Sequence, residues 1–321
     1  PVTQTLRVYY DVEVEITSTG NTGENAFNRT REFSTLETEF KNIYAQQFLN
    51  YGNEQRYTPV EEEGSILIIA YGDFMEAMQP YIDWKIMTGR EVEMVDVADI
   101  GGSSEIETYI EDYYYDNDLA YCLLVGDADQ VPTSYANGDS DNNYAYIEGN
   151  DHYPEIFMGR FSAESVGDVE TQVQRTIDYE KEPYTDEEWY PNSISISSSE
   201  GPGDDGEYDY EHLRNIQEDL NDFGYTYNYE YFDGSQGGND APGNPSSDDV
   251  AEGINSGATI INYTGHGSTT SWSSSGFSNS DVNNLENDEK LPFIWSVACV
   301  NGNFVGNTCF AEAWLRATDN D

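Results

Sequence analysis

The first part of the chain alternates between apolar and largely polar side chains. Every second position of residues 6–16 is apolar, namely Leu6, Val8, Tyr10, Val12, Val14 and Ile16. A strict period of two predicts a β-strand with one buried face. A turn rich in glycine and asparagine follows, then a predicted helix over 37–49 and a polar stretch over 50–64. The pattern therefore predicts a small α+β segment at the start.

After Gly64 short apolar runs alternate with amphipathic segments. The pattern predicts strands over 65–71, 91–95 and 121–125, and helices over 74–87, 104–115 and 166–179, with a loop-rich stretch over 126–159. Continuous apolar strands that alternate with helices are typical of parallel sheets buried on both faces. We therefore expect an α/β fold in this part of the chain.

A second series of the same kind follows an acidic segment over 180–191, which contains two prolines and is interpreted as a linker. This series predicts strands over 193–197, 225–229, 258–262 and 292–297, and helices over 208–223, 247–255 and 305–316. The helix over 208–223 carries an apolar stripe made of Leu213, Ile216, Leu220 and Phe223. The chain is therefore expected to form two α/β subdomains.

Composition excludes some classes of partner. Lys and Arg total 13 against 62 Asp and Glu, which gives a net charge of −49 in 321 residues. A surface this acidic repels phosphate, so nucleic acid is excluded as a partner. Charged residues make up only 23% of the chain, so the bias reflects a scarcity of basic residues. The excess of acidic residues suits either a protein that works in high salt or a secreted protein that it keeps soluble. No apolar run approaches the length of a membrane span, which is about 20 residues.

Two predicted strands end in side chains that can do chemistry. The strand over 258–262 leads into His266, and the strand over 292–297 leads into Cys299. Sites in open α/β sheets form beyond the carboxyl ends of strands, so a thiolate nucleophile and an imidazole could share one edge. Gly267 would let its N–H approach a developing oxyanion. The residue types alone favour a simpler alternative, in which His266 lies in a glycine turn and Cys299 is a core thiol.

Several motifs, in order along the chain, favour the catalytic interpretation of His266 and Cys299 over the simpler alternative. They are Tyr-Thr-Pro-Val-Glu-Glu at 57–62, Gly-Asn-Asp-His-Tyr at 149–153, Gly-Arg-Phe-Ser at 159–162, Tyr-Thr-Gly-His-Gly-Ser at 263–268, Val-Ala-Cys-Val-Asn-Gly at 297–302 and Cys-Phe-Ala-Glu-Ala at 309–313. The chain resembles the gingipain family of cysteine endopeptidases from residue 57 onward. This family shares its fold with caspases and legumain, so the resemblance implies a caspase-like parallel-sheet catalytic domain.

The resemblance also implies roles for individual residues. His266 would be the catalytic histidine and Cys299 the nucleophile, with the backbone N–H groups of Gly267 and Cys299 as the oxyanion hole. Thr264 and Gly265, directly before the histidine, would contact substrate. Glu200 stands where the family places the acid that orients the histidine, although the residues alone equally allow a solvated loop carboxylate.

Asp209 is the candidate for selecting the substrate. It lies four residues before Leu213 on the apolar stripe of the predicted helix 208–223. The residues alone favour a carboxylate that is stabilised by the helix N-terminus. The resemblance implies instead the acid at the floor of an arginine pocket, where a bidentate guanidinium fits better than an ammonium group.

The resemblance further implies an N-terminal propeptide that inhibits the enzyme and is removed after arginine. Arg56 and Tyr57 occupy that junction, so the expected units are residues 1–56 (end of the propeptide), 57–185 (first subdomain) and 186–321 (second subdomain, truncated at its C-terminal end).

Secretion or display at the cell surface is implied. Polypeptides are the expected substrates and no cofactor is needed for the chemistry. Structural calcium is compatible with the acidic loops, but no metal ligands are assigned, and Asp139, Asp141 and Asn143 do not continue as an EF-hand.

Two alternatives to this function remain open. The first is a related cysteine peptidase that prefers lysine or another residue before the cut. The second is a catalytically silent binding module that uses its acidic surface.

Overall fold

The computed structural model of the chain describes residues 35–47, 60–136, 138–149, 151–182, 187–203, 206–287 and 289–318. The strand predicted over 6–16 and the proposed processing junction at Arg56 and Tyr57 lie outside these residues.

Two four-stranded parallel sheets organise the structure. Apolar and β-branched residues form the strands of the first sheet, which are β3 (Ser65–Ala70), β4 (Val92–Asp96), β5 (Leu119–Val125) and β6 (Phe157–Phe161). Their order in the sheet is β4-β3-β5-β6. The central strands β3 and β5 are almost wholly buried, as their continuous apolar sequences predict.

Helices cover both faces of the first sheet. One face packs against α2 (Gln79–Met87) and α5 (Val166–Lys181) through residues such as Tyr81 and Val169. The other packs against α4 (Ser103–Asp116) through Ile106 and Ile110. The short helix α3 (Val97–Ile100) connects β4 to α4. The result is the three-layer arrangement expected of an α/β fold.

Residues near the start of the described chain pack on the first sheet. They form β1 (Thr35–Glu37) and α1 (Thr38–Gln47), and β1 pairs in parallel with β2 (Val60–Glu62). Phe40 is buried and stacks on Phe157, the first residue of β6, with ring centroids 4.8 Å apart. Glu39 accepts a hydrogen bond of 2.6 Å from Arg90. The segment therefore contacts the amino-terminal end of β6.

The strands of the second sheet are β7 (Asn192–Ser197), β8 (Tyr227–Phe232), β9 (Ile260–Thr264) and β12 (Phe293–Val297). Their order in the sheet is β12-β9-β7-β8, and all pairs are parallel. The helices of this half are α6 (Asp209–Phe223), α7 (Ser247–Ser256), α8 (Asn279–Val282) and α9 (Phe310–Arg316). Within the described residues β12 pairs only with β9, and Phe293, Trp295 and Val297 are exposed.

A buried polar cluster joins the two halves of the molecule. Arg316 of α9 donates hydrogen bonds to Glu312, at 2.6 Å, and to the Ser162 hydroxyl of the first half, at 2.8 Å. It also contacts Asp127 at 3.3 Å and Glu164 at 2.7 Å. Because the guanidinium is surrounded by three carboxylates, its charge is compensated in the interior. The cluster fixes α9 against the loop after β6.

Several predicted boundaries differ from the observed ones. The helix expected over 74–87 begins at Gln79, because Pro80 would clash with the carbonyl of Glu76 in a longer helix. The helix expected over 305–316 begins at Phe310, where Glu312 accepts a 2.7 Å hydrogen bond from the N–H of Cys309. The strands expected over 225–229 and 258–262 each begin two residues later. Strand β6 lies partly within the stretch that was expected to be loop.

Candidate active site

Strand register brings the two candidate catalytic residues to the same edge of the second sheet. Thr264 of β9 pairs with Val297 of β12, and the Gly265 N–H donates a 3.2 Å hydrogen bond to the Val297 carbonyl. His266 and Cys299 each lie two residues beyond this last pair. The sequence predicted such a shared edge if the two strands are neighbours, and they pair directly.

The loop after β9 contacts the loop after β12 directly. A Cβ built on Gly267 would lie 2.8 Å from the Cys299 carbonyl oxygen and 2.9 Å from the Ala298 Cβ. No real side chain tolerates such distances, so only glycine allows the two backbones to approach this closely. Gly267 and Cys299, the two predicted oxyanion-hole residues, are therefore neighbours.

Glu200 lies beside the candidate histidine. Its Oε1 atom is 3.7 Å from His266 Nε2, and the two side chains are 71% and 70% exposed. This distance is within ion-pair range but longer than a hydrogen bond. Because the pair is solvated, it contributes little to stability. The Glu200 carboxylate therefore lies near the imidazole without a hydrogen bond to it.

Asp209 begins helix α6 and is half-buried below the same edge. Its carboxylate accepts a hydrogen bond from the Ser198 hydroxyl, and its N–H donates to the Glu200 carbonyl at 3.0 Å. Ser198, which is buried, also donates its N–H to the Thr264 carbonyl at 3.1 Å. A Cβ on Gly265 would lie 3.1 Å from the Ser198 Cβ. The four predicted residues Asp209, Glu200, Thr264 and Gly265 thus surround one buried serine.

The three cysteines differ in accessibility. Cys299 is exposed, whereas Cys122 and Cys309 are buried, and none forms a disulfide. Burial raises the pKa of the Cys122 thiol far above its ordinary range. Burial also raises the pKa of Cys309 to about 11. Cys299 is therefore the thiol that a substrate can reach.

The backbone after Cys299 adopts an unusual conformation. Val300 has a φ of 55°, in the left-handed region that β-branched residues rarely occupy. Such backbone strain clusters at functional sites. It turns the chain sharply just beyond the candidate nucleophile, and no pattern of apolar residues in the sequence reveals it.

Asp141, in the acidic loop that also contains Asp139 and Asn143, forms an ion pair. Asp141 accepts two hydrogen bonds of 2.7 Å, one at each carboxylate oxygen, from Arg160. Across the described ranges, no group of three His, Cys, Asp or Glu side chains is arranged to hold a metal ion. In the described part of the chain, no helix is long and apolar enough to cross a bilayer.

The features above define an α/β protein whose second sheet carries a histidine and an exposed cysteine at one carboxyl edge. Residues 60–320 match the family described as Peptidase family C25. The chain belongs to this peptidase family.

Individual relatives agree with this assignment. Gingipain R2 of Porphyromonas gingivalis strain W83 is 39% identical over 328 residues, which cover 99% of this chain and 43% of that protein. Lys-gingipain of strain ATCC 33277 is 26% identical, over 99% of this chain and 18% of that protein. The chain thus spans less than half the length of these curated relatives.

Solved structures show the same fold. The crystal structure of the Arg-specific cysteine proteinase gingipain R matches with a TM-score of 0.76 at 38% identity, over 82% of this chain and 62% of that chain. The complex of Porphyromonas gingivalis RgpB pro- and mature domains matches with a TM-score of 0.75 at 37% identity, over 80% of this chain and 61% of that chain. The predicted gingipain resemblance and the predicted caspase-like α/β fold are confirmed.

Proposed function

We propose that this chain carries the catalytic residues of a cysteine endopeptidase that hydrolyses peptide bonds after arginine. The observation that supports this most strongly is the contact between the His266–Gly267 loop and the Cys299 backbone at the carboxyl edge of two paired strands. An exposed thiol, on a loop whose backbone contacts the loop that carries His266, argues against a silent binding module.

In the proposed reaction the Cys299 thiolate attacks the carbonyl carbon of the scissile bond. His266 holds the thiol proton and delivers it to the leaving amine as the carbon–nitrogen bond breaks, which leaves a thioester on Cys299. A water molecule, deprotonated by His266, then hydrolyses the thioester and restores the thiol. The N–H groups of Gly267 and Cys299 would stabilise both tetrahedral oxyanions. Glu200 would orient the imidazole, and the chemistry requires no cofactor.

Arginine selection would come from Asp209. Its carboxylate accepts a hydrogen bond from Ser198, and Gly265, which has no Cβ, packs closely against that serine. A fixed carboxylate suits a planar guanidinium, which can donate two parallel hydrogen bonds. Lysine selection is the second candidate, since Lys-gingipain also aligns over 99% of the chain. The higher identity to Gingipain R2, 39% against 26%, favours arginine.

We also propose that the residues before Tyr57 act as an inhibitory propeptide, with cleavage after Arg56. A related structure holds pro- and mature domains in one complex. In this chain residues 35–47 pack against the first sheet through Phe40 and Glu39. A protein of this acidity is suited to secretion or to exposure at the cell surface, where we place it.

Peptide substrates that differ only in the residue before the cut test the specificity. We expect cleavage after arginine, much slower cleavage after lysine and none after alanine. Cys299→Ala should abolish all cleavage, whereas Cys309→Ala, the matched control, should retain it. Equal rates on arginyl and lysyl peptides would contradict arginine selection, and an active Cys299→Ala chain would contradict the mechanism.

A further inference from the structure

Asn301 lies between the two loops that carry His266 and Cys299. It follows Cys299 by two residues, and its side chain is buried, with 4% of the residue exposed. Its Nδ2 donates to the Ser268 carbonyl at 2.6 Å and to the Ser271 carbonyl at 3.1 Å. Ser268 in turn follows His266 by two residues. One side chain therefore connects equivalent positions of the two loops.

The chemistry of the asparagine amide matches these partners. Its Oδ1 accepts a 2.8 Å hydrogen bond from the Ser296 hydroxyl of β12, and its two N–H groups reach the two carbonyls. Because a carbonyl can only accept, the amide nitrogen must face Ser268 and Ser271. A carboxylate in this place would lack both donors, and a serine would be too short to span the gap.

The hydrogen bonds continue into the core beneath the histidine. The carbonyls of Ser268 and Ser271 belong to a hairpin formed by β10 (Gly267–Ser268) and β11 (Ser271–Trp272). Trp272 of this hairpin donates its indole N–H to the Ser296 hydroxyl at 2.9 Å. Its ring stacks on Tyr263 at 4.9 Å, and the Tyr263 hydroxyl donates to the His266 carbonyl at 2.5 Å.

These contacts form a continuous series that runs from Asn301 through Ser296, Trp272 and Tyr263 to the His266 backbone. Asn301, at one end of the series, directly follows the strained Val300, whose φ of 55° must be held by its surroundings. A Cβ on Gly267 would also lie 2.9 Å from Asn301 Nδ2.

We propose that Asn301 is a positioning residue, which sets the distance between the imidazole of His266 and the sulfur of Cys299. It touches neither reacting atom and acts by holding the hairpin after His266 against the loop after Cys299. The role rests on the proposed cysteine-peptidase function. Misplacement of catalytic groups by about 1 Å can cost roughly 10²-fold in rate.

Asn301→Asp and Asn301→Ala test the proposal, with Asn284→Asp as a matched control, because Asn284 is exposed and its side-chain amide donates to the nearby Ser280 carbonyl. We expect kcat on an arginyl peptide to fall by about 10²-fold in both Asn301 variants while KM changes little. Ser296→Ala is a milder change, because Asn301 keeps its hydrogen bonds to the Ser268 and Ser271 carbonyls, and it should lower kcat less. It still tests the proposal if the Asn301 variants do not fold.

Alkylation of Cys299 by iodoacetamide supplies a readout that does not need peptide cleavage. The rate as a function of pH should shift in the Asn301 variants, because His266 no longer sits at the same distance from the thiol, and should stay unchanged in Asn284→Asp. A lowered melting temperature with an unchanged kcat and an unchanged alkylation profile would overturn the proposal. An inactive wild-type chain would contradict the proposed function, while the alkylation profiles would still decide the role of Asn301.

Discussion

The Cα of Gly267 lies against the backbone of Cys299, so closely that an added methyl group would approach the Cys299 carbonyl oxygen to 2.8 Å. Gly267→Ala must therefore push the two loops apart. We expect kcat to fall by about 10² to 10³-fold, the range seen when an oxyanion-hole donor is lost.

Steady-state kinetics on an arginyl peptide measure this loss. KM should change little, because Asp209 contacts Ser198, which follows β7, on the side of β9 away from β12. Gly302→Ala serves as the control, since a Cβ at Gly302 meets no atom within 4 Å. Wild-type kinetics in Gly267→Ala would mean that the two loops are not held in contact during catalysis.

A single cysteine should react with thiol reagents at neutral pH. Cys122 and Cys309 are buried, and burial raises the pKa of both thiols, that of Cys309 to about 11. The thiolate is the reactive form, so these two remain protonated and inert at pH 7. Mass spectrometry after iodoacetamide treatment of the folded protein should find label on Cys299. Label on Cys122 before Cys299 would show that the wrong thiol has been assigned as the nucleophile.

Asp209→Asn should weaken arginine preference more than it weakens catalysis itself. The change removes the charge that would pair with the guanidinium, and loss of one partner of a desolvated pair costs about 2 kcal/mol or more, roughly 30-fold. The ratio of kcat/KM values for arginyl and alanyl peptides measures the effect. Ser198→Ala should reduce this ratio by a smaller factor, because it frees the carboxylate without removing it. An unchanged ratio in Asp209→Asn would mean that another residue reads the substrate.

Self-processing should depend on the chain's own arginine. Pro59 favours an extended conformation at Thr58, which suits a segment that must enter a cleft as substrate. N-terminal sequencing of the active protein should therefore begin at Tyr57. Arg56→Ala and Cys299→Ala should both prevent this cut, while Arg31→Ala should leave it intact. A Tyr57 terminus in purified Cys299→Ala protein would assign the cut to another protease.

Stability should fall in alkaline solution. Burial raises the pKa of Tyr81 to about 12, whereas the unfolded chain releases the same proton near pH 10. The neutral phenol is thus favoured in the folded state, so its contribution is complete below about pH 10 and is lost as the pH rises towards 12. Thermal unfolding of Tyr81→Phe should show a weaker decline over this window than wild type. The exposed Tyr135, changed to Phe, should not alter the decline.

The sequence predicted the strands better than the ends of the helices. Continuous apolar runs such as Ser65–Ala70 are visible because parallel strands are buried on both faces. Strand β6 contains Gly159 and Arg160 and reads as a loop, because Arg160 owes its place to contacts with Asp141 and the Val131 carbonyl, which lie far away in sequence. The last residue of the predicted apolar stripe, Phe223, is 87% exposed at the C-terminal end of α6.

Only part of the candidate site could be predicted from the sequence. His266, Gly267 and Cys299 stand in short motifs directly after apolar strands, so resemblance and topology both point to them. The roles of Ser198, Tyr263 and Asn301 depend on hydrogen bonds between loops that the topology brings together, and no local pattern encodes those contacts. The strained φ of Val300 is likewise a product of tertiary structure.

The outer strand of the second sheet makes the colloidal behaviour of this protein depend on salt in two opposing ways. Phe293, Trp295 and Val297 are each more than 60% exposed along an edge that could pair with a second molecule. At low ionic strength the net charge of −49 keeps molecules apart. At about 1 M salt repulsion is screened within roughly 3 Å. Salt that weakens the repulsion between acidic residues within each molecule therefore also weakens the repulsion between molecules. The acidic surface thus protects the exposed strand from aggregation at low salt only.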